Sequence, residues 1–311
     1  MARKIIGIGE TIMDIIFKDG QPVAAVPGGS VFNGIISLGR MGLNVTMITE
    51  TGSDRVGDVI ENFMTDNGVD TRSVCRYSNG RSAISLAWLN EQNDAEYSFY
   101  KDYPNARLDV EWPDIQTDDI IMMGSYFVLN PVLRPKVEEF LQYAHKRGAL
   151  IYYDFNYRSS HKGESVKLYS SIIENLDYAD IVRGSTEDFD NIFGTTDAES
   201  IYHSEVKFHC DQLICTDGGG KVTLTTPNCE LSIPVSPIKT VSTIGAGDNF
   251  NAGVVYGLVK GNIRRDQLHQ LTEQQWNDII NCGMAFAKEV VQSFNNSISP
   301  EFATRFRSEQ E

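Results

Sequence analysis

Residues 135–158 read PKVEEFLQYAHKRGALIYYDFNYR, and the class of fold follows from them. Residues 135–147 carry a helical pattern that Gly148 caps, and 149–154 form a short apolar run with the character of a buried strand. That strand runs directly into Asp154, Asn156 and Arg158, while Tyr152, Tyr153 and Phe155 read as core residues. The same unit recurs along the chain. Strands are expected at 3–9, 45–51, 119–124, 179–183 and 212–216; helices are expected at 30–41, with Val31, Ile35 and Leu38 on one face, and at 56–67, stopped by Gly68. Repeated βα units imply a mostly parallel sheet covered by helices on both faces, an α/β fold.

One region has a different texture. Residues 82–89 and 96–101, separated by the polar turn 90–94, look like a hairpin. With 12–26 it is expected to project from the sheet as a small lid. No solenoid repeat, low-complexity tract or linker interrupts the pattern, so residues 1–311 are expected to form a single domain with lid segments near 12–26 and 82–103.

Composition narrows the function. With 311 residues, 41% of them hydrophobic, the chain can fill a substantial core. Its formal net charge of -15, from 27 Lys and Arg against 42 Asp and Glu, offers no basic excess to neutralise phosphates, so no nucleic-acid partner is expected. The apolar run near the start is too short for a signal peptide, and eighteen uncharged apolar residues never run together. The expectation is a soluble, cytoplasmic protein with no membrane partner. Five cysteines, with no CxxC pair and no nearby His at metal-ligand spacing, read as buried reduced thiols.

In sheets of this kind ligands collect beyond the carboxyl ends of the strands. Five of the expected strands lead into a polar or glycine-rich segment: Gly9-Glu10 and then Asp14, Gly124-Ser125, 154–158, 184–188, and 216–220. A shared crevice would gather them.

Residues 243–250, TIGAGDNF, carry the chemistry. Gly245 and Gly247 let backbone N–H groups turn toward one point without side-chain obstruction. If 247–260 is helical, Phe250, Val254 and Leu258 form its apolar stripe, and the glycines lie where unpaired N–H groups and the helix dipole attract an anion. Asp248 would repel that anion, which makes sense if it must take a proton from a hydroxyl attacking a phosphate. The same residues also suit a plain helix cap behind a tight turn. A Walker loop is absent, since Gly218-Gly219-Gly220-Lys221-Val222 has neither its spacing nor its terminal hydroxyl. Gly7-Ile8-Gly9-Glu10-Thr11-Ile12 lacks the last glycine of a dinucleotide-binding loop, which disfavours an oxidoreductase.

These residues resemble the PfkB, or ribokinase-like, family of carbohydrate and nucleoside kinases, and most closely its fructokinase-like members. Pro27-Gly28-Gly29-Ser30-Val31-Phe32-Asn33, preceded by Asp14, is similar to the family's GG-x-x-x-N sugar signature. Gly52-Ser53-Asp54-Arg55-Val56-Gly57 and Gly68-Val69-Asp70 match the next landmarks. Asp154-Phe155-Asn156-Tyr157-Arg158 resembles the D-x-N-x-R segment, Thr216-Asp217-Gly218-Gly219 the nucleotide turn, and 243–250 the C-terminal signature. The matches occur in the family's order along nearly the whole chain.

The resemblance implies a three-layer αβα ribokinase-like fold with a small β lid, and ATP with Mg2+ as cofactors. It implies Asp248 as general base, and the amides of Gly245, Ala246 and Gly247 as the anion hole. Asp14, Gly28, Gly29 and Asn33 would hold sugar hydroxyls, Arg158 would face phosphate or sugar, and Lys101 would lie at the substrate rim. Thr216, Gly218 and Asn281 would line the ATP site. In isolation Asp14 also suits a turn acid, Asn33 a polar helix position and Arg158 a surface ion pair. The family's lids often pair into dimers, which makes a homodimer through the lid an expectation here.

Two departures stand out. The family's Asn-x-x-Glu has its counterpart in Ser185-Thr186-Glu187-Asp188, where Asp188 stands in the glutamate's place; Asp188 and Glu187 are expected to meet Mg2+ indirectly, through water. The last signature usually begins Asp-Thr and here begins Ser242-Thr243. That aspartate belongs to a loop binding a monovalent cation in many members, so its loss is expected to weaken a K+ site. The expected activity is phosphorylation of a primary hydroxyl of a small sugar, fructose first. Ribokinase, 2-keto-3-deoxygluconate kinase and nucleoside kinase are the alternatives within the family, and a non-catalytic sugar or nucleotide sensor is the alternative outside it.

Overall fold

The computed structural model describes residues 3–90 and 95–309, so residues 91–94 of the expected hairpin turn lie outside the described residues. The chain divides into two compact units. One holds Ala2–Pro113, Ile238–Gly253 and Gly283–Glu311, and the other Asp114–Pro237 and Val254–Cys282.

In the first unit β1 (Lys4–Ile8) pairs in parallel with β4 (Asn44–Gly52). Between them in sequence come the strands β2 (Ile12–Lys18) and β3 (Gln21–Gly28) and the helix α1 (Ser30–Arg40). The helix buries Val31, Phe32, Ile35, Ile36 and Leu38. It lies so close to β1 that a Cβ on Gly7 would sit 2.5 Å from Ile35, which is why that strand position has no side chain. Helix α2 (Arg55–Asp66) comes next, and the short strands β5 (Val69–Asp70) and β6 (Val74–Tyr77) both pair in parallel with β4.

A second, four-stranded sheet of this unit has the order β3-β2-β7-β8, with β7 (Arg81–Leu89) parallel to β2 and antiparallel to β8 (Ala95–Asp102). Both segments expected to project thus belong to one sheet. The β2–β3 turn is Asp19-Gly20, both with positive φ, the backbone of a type I′ hairpin.

Asp54 fastens this sheet to α2. Its side chain caps the helix by accepting from Gly57 N at 2.9 Å, and accepts from Ser82 N at 2.9 Å and Ser82 Oγ at 2.6 Å. Burial works against the charged carboxylate, but these hydrogen bonds outweigh it and hold its pKa below the ordinary value. A pKa lower in the folded than in the unfolded chain stabilises above the unfolded pKa, and that contribution disappears as pH falls through the folded value. Replacing Asp54 by Ala should cost about 1–2 kcal/mol near neutral pH. In chemical denaturation the difference from wild type should shrink on acidification below the ordinary aspartate range; a pH-independent difference would contradict the role.

In the second unit β9 (Ile120–Gly124), β10 (Leu150–Asp154), β11 (Ile181–Ser185) and β12 (Leu213–Thr216) run side by side in parallel. Helices α3 (Ser125–Leu129), α4 (Arg134–Lys146), α5 (Ser165–Tyr178), α6 (Thr186–Phe193) and α7 (Ala198–Ile201) connect them. Tyr152, Tyr153 and Phe155 are buried, as their apolar run implies. The strand expected at 179–183 begins two residues later, because the Ala179 amide still bonds to Asn175 O and Leu176 O and closes α5. The antiparallel strands β13 (Lys221–Thr225) and β14 (Glu230–Pro234) complete this unit's sheet and were not anticipated. Parallel alignment brings 124–125, 154–158, 184–188 and 216–220 to one edge of the unit, while Gly9-Glu10 comes directly after β1 in the first unit.

Three helices end the chain: α8 (Ala246–Lys260), α9 (Glu273–Val290) and α10 (Pro300–Ser308). Phe286 of α9 meets Phe302 and Phe306 of α10 edge-on, with ring centroids 5.6 Å apart in both pairs. All five cysteines are free thiols; Cys210, Cys215 and Cys282 are buried, whereas Cys75 and Cys229 are half-buried, against the expectation of full burial. Burial pushes the Cys210 thiol up to about 12 and Cys215 up to about 11, so both stay protonated. No helix among the described residues is long and apolar enough to cross a membrane.

Candidate active site

The first unit assembles a polar cluster from three distant parts of the chain. Asp14, on β2, is buried; its Oδ1 accepts a short hydrogen bond from Ser85 Oγ on the neighbouring β7, and its Oδ2 accepts from Asn296 Nδ2 at 3.2 Å. Gly28 and Gly29 join β3 to α1. A Cβ on Gly28 would lie 2.3 Å from Asp14 Oδ2, and one on Gly29, whose φ is 134°, would lie 2.1 Å from Glu10 O. Gly28 therefore lets backbone approach the carboxylate, and Gly29 lets it pass against the Glu10 carbonyl. Asn33, on the first turn of α1, is buried and donates from Nδ2 to Asp248 Oδ2 at 2.8 Å.

Gly245 precedes α8 with φ 77°, and a Cβ there would sit 2.9 Å from Asn296 O. The Ala246 amide bonds to Thr243 O at 3.2 Å. Gly247 and Asp248 lie in the first turn of α8, where amides have no intrahelical acceptor. Asp248 itself is buried. Its neighbour Asn249, fully buried, donates to Gly245 O and to Asn296 O, both at 2.8 Å, and accepts from Ser37 Oγ at 2.5 Å. Asn249, Ser37, Ser85 and Asn296 were missed from sequence. Asn249 stands inside the 243–250 signature but was assigned no role; Ser37, Ser85 and Asn296 carry no motif, and their contacts with Asn249 and Asp14 span 212, 71 and 282 residues of chain. Ser242, buried, accepts from Ile244 N at 3.2 Å, so its hydroxyl braces the turn before the glycines.

Lys101, on β8, reaches Glu10 at 2.7 Å, and Tyr103 OH donates to the same carboxylate at 2.5 Å. Burial, and then the Glu10 charge, push the Tyr103 phenol far up, so it remains a donor. The cation expected at the substrate rim is thus held by Glu10, the residue whose carbonyl Gly29 adjoins.

The remaining expected residues lie in the second unit. Thr216 ends β12, nearly buried, and accepts from Arg183 Nη2. Arg183 also donates to Asp154 Oδ1 at 3.0 Å. Burial works against its charge, but Asp154 and Asp188 outweigh this and keep the guanidinium firmly ionised. Gly218 has φ 46° with open space around its Cβ position. Asp188 is buried, and its carboxylate accepts from Ser185 N and Ser185 Oγ, both at 2.7 Å, and from Tyr157 N at 2.6 Å. With Ser185 it forms the capping box of α6. The serine in the asparagine's place therefore pairs with the shortened acid. Glu187 beside it is exposed, as are Arg158 and, on α9, Asn281. Among the described residues no three His, Cys, Asp or Glu side chains cluster as a resident metal ion would require.

A buried carboxylate behind a glycine turn at a helix start, on a βα frame, has the elements that phosphoryl transfer to an alcohol needs: amides for an anion and an acceptor for a proton. Comparison with known proteins agrees. Residues 2–302 match the profile of the pfkB family carbohydrate kinases. The 5-dehydro-2-deoxygluconokinase of Geobacillus thermodenitrificans is 26% identical over 249 residues, 75% of this chain and 72% of that protein. Probable fructokinase-5 of Arabidopsis thaliana is 25% identical over 282 residues, 85% of both. The crystal structure of aminoimidazole riboside kinase from Salmonella enterica, complexed with aminoimidazole riboside and an ATP analog, superposes with a TM-score of 0.84 at 20% identity, covering 99% of this chain and 100% of that one.

The chain belongs to the pfkB family of carbohydrate kinases and has the ribokinase-like α/β fold, with a mostly parallel central sheet and a second small sheet. It is an ATP-dependent phosphotransferase.

Proposed function

We propose that the protein transfers the γ-phosphate of ATP to a primary hydroxyl of a small neutral sugar, with fructose the first candidate. The observation that carries this reading is the hydrogen bond from Asn33 to Asp248, which ties the helix of the sugar signature to the acid at the glycine turn. Asp248 removes the hydroxyl proton as the sugar oxygen attacks phosphorus and the bond to ADP breaks. The amides of Gly245 and Gly247 receive the transferring phosphate, joined by Ala246 once it leaves Thr243. Asp14, Gly28, Gly29 and Asn33 hold the sugar's other hydroxyls.

Thr216, Gly218 and Asn281 are assigned to ATP, and the exposed Arg158 to a phosphate. Mg2+ arrives with the nucleotide, keeps most of its waters and neutralises phosphate charge. Asp188 is committed to the α6 cap, so the exposed Glu187 is the better placed of the two for a water-mediated contact. Glu10 already neutralises Lys101, so a neutral sugar needs no rearrangement of this pair, whereas a sugar acid meeting Lys101 would have to displace it. The whole chain is assigned to one kinase domain, with the four-stranded sheet as its lid and, through the exposed Phe99 and Tyr100, as the contact in a cytoplasmic homodimer.

ATP consumption measured across fructose, ribose, tagatose, 2-keto-3-deoxygluconate, 5-dehydro-2-deoxygluconate and adenosine tests the reading. Fructose should give the highest kcat/KM; preference for either sugar acid or for adenosine would overturn the assignment. A second test concerns the cation. Ser242 has no formal charge, and its hydroxyl accepts a backbone bond. Exchanging K+ for a bulky organic cation should therefore change the rate little, and a large loss of activity would contradict this.

A further inference from the structure

We propose that Asn296 is a specificity residue, whose side-chain oxygen accepts a hydrogen from one hydroxyl of the acceptor sugar. The inference rests on the sugar-kinase reading above. The orientation of the Asn296 amide is dictated by its neighbour: Asp14 Oδ2 can only accept, so the group 3.2 Å from it must be Nδ2. Oδ1 then points away, and no donor among the described residues reaches it although Asn296 is buried. A buried amide oxygen without a donor is unfavourable, so the working state should supply one.

The surroundings identify the donor. The Asn296 Nδ2 lies 3.0 Å from where a Cβ on Gly28 would stand, its backbone carbonyl packs against Gly245 and accepts from Asn249, and the next residue, Ser297, donates to Asn33 O at 3.2 Å. Asn296 is therefore in direct contact with the sugar signature on one side and the phosphate turn on the other. Asn33 shows the same pattern, with Nδ2 fixed by Asp248 and Oδ1 buried without a donor among the described residues. Two amide oxygens awaiting donors beside two carboxylates suit a polyol, whose hydroxyls donate and accept at once. Substitution of Asn296 removes only the side chain and leaves the carbonyl that Asn249 needs, so the loop can keep its backbone contacts.

The test measures kcat and KM for wild type, Asn296→Ala, Asn296→Ser and Ser85→Ala on the best sugar substrate and its monodeoxy series, with thermal melting to verify folding. Asn296→Ala should raise KM by about tenfold, the worth of one hydrogen bond, with a smaller effect on kcat. One deoxy sugar should bind wild type more weakly by a similar factor yet suffer no further loss with Asn296→Ala, and this non-additivity should be confined to one hydroxyl. Asn296→Ser, which retains an acceptor, should fall between, and it carries the test if the Ala variant does not fold. Ser85→Ala removes a different donor to Asp14 and leaves Asn296 in place, so its penalties should not single out that hydroxyl. Additive penalties for every hydroxyl, or the same non-additive pattern with Ser85→Ala, would overturn the direct contact while leaving the kinase reading intact. A wild-type chain that phosphorylates no sugar overturns the proposed function, and this inference with it.

Discussion

Replacing Asp248 by Asn lowers kcat by about a hundredfold to ten-thousandfold, the span general-base catalysis covers, and leaves the KM for sugar close to that of wild type. The substitution keeps the shape of the side chain, and the new amide oxygen can still accept from Asn33 Nδ2, so the contact between α1 and α8 survives. What disappears is the negative charge and with it the capacity to take a proton, which a purely structural role would not need. The sign of a second effect comes from electrostatics. A buried carboxylate within one helical turn of the amides assigned above to the phosphate would repel ATP, so the KM for ATP should stay level or fall when the charge is removed. Steady-state kinetics with both substrates varied separates the two constants. A variant with full kcat would remove Asp248 from the chemistry and leave it as a helix-start residue bonded to Asn33.

Much of this arrangement was legible because it depends on local rules. The buried strands are short apolar runs, the helices keep their apolar stripes, and the glycines of residues 28–29 and 245–247 mark backbone that must approach something closely. What stayed hidden depends on distance along the chain. Asp14 meets Ser85 across 71 residues and Asn296 across 282, and nothing in the local pattern of FNNSIS tells one asparagine from the other. The strand pair at 221–225 and 230–234 was missed because it breaks the βα alternation from which the sheet was inferred. The β2–β3 hairpin has a local signal, since Asp19-Gly20 between apolar runs favours a type I′ turn. Asp188 shows a different limit: a motif match locates the residue, whereas the structure shows its carboxylate engaged by Ser185 and Tyr157.

Alanine at Gly28 and alanine at Gly29 should fail in different ways, although the residues are adjacent and belong to one signature. At Gly28 the obstacle is a side chain: the new Cβ would stand 2.3 Å from Asp14 Oδ2 and 3.0 Å from Asn296 Nδ2. Asp14 can rotate away only by giving up its bonds to Ser85 and Asn296, so the fold survives and the sugar site does not. The expected result is a rise in sugar KM of about tenfold to a hundredfold, with the KM for ATP nearly unchanged and a modest loss of stability. At Gly29 the obstacle is backbone. Its φ of 134° is one that L side chains rarely adopt, and the Cβ would lie 2.1 Å from Glu10 O, a backbone atom of the short connection between β1 and β2 that cannot rotate away as a side chain can. Strain and overlap together should cost about 2–5 kcal/mol, seen as a lower melting temperature before any kinetic effect is read. Equal thermal stability of the two variants, or an unchanged sugar KM in Gly28→Ala, would contradict the division of labour between them. The same comparison explains why a glycine pair is needed here at all: one glycine lets the chain take a backbone path closed to other residues, and the other leaves room for the carboxylate that the path brings near.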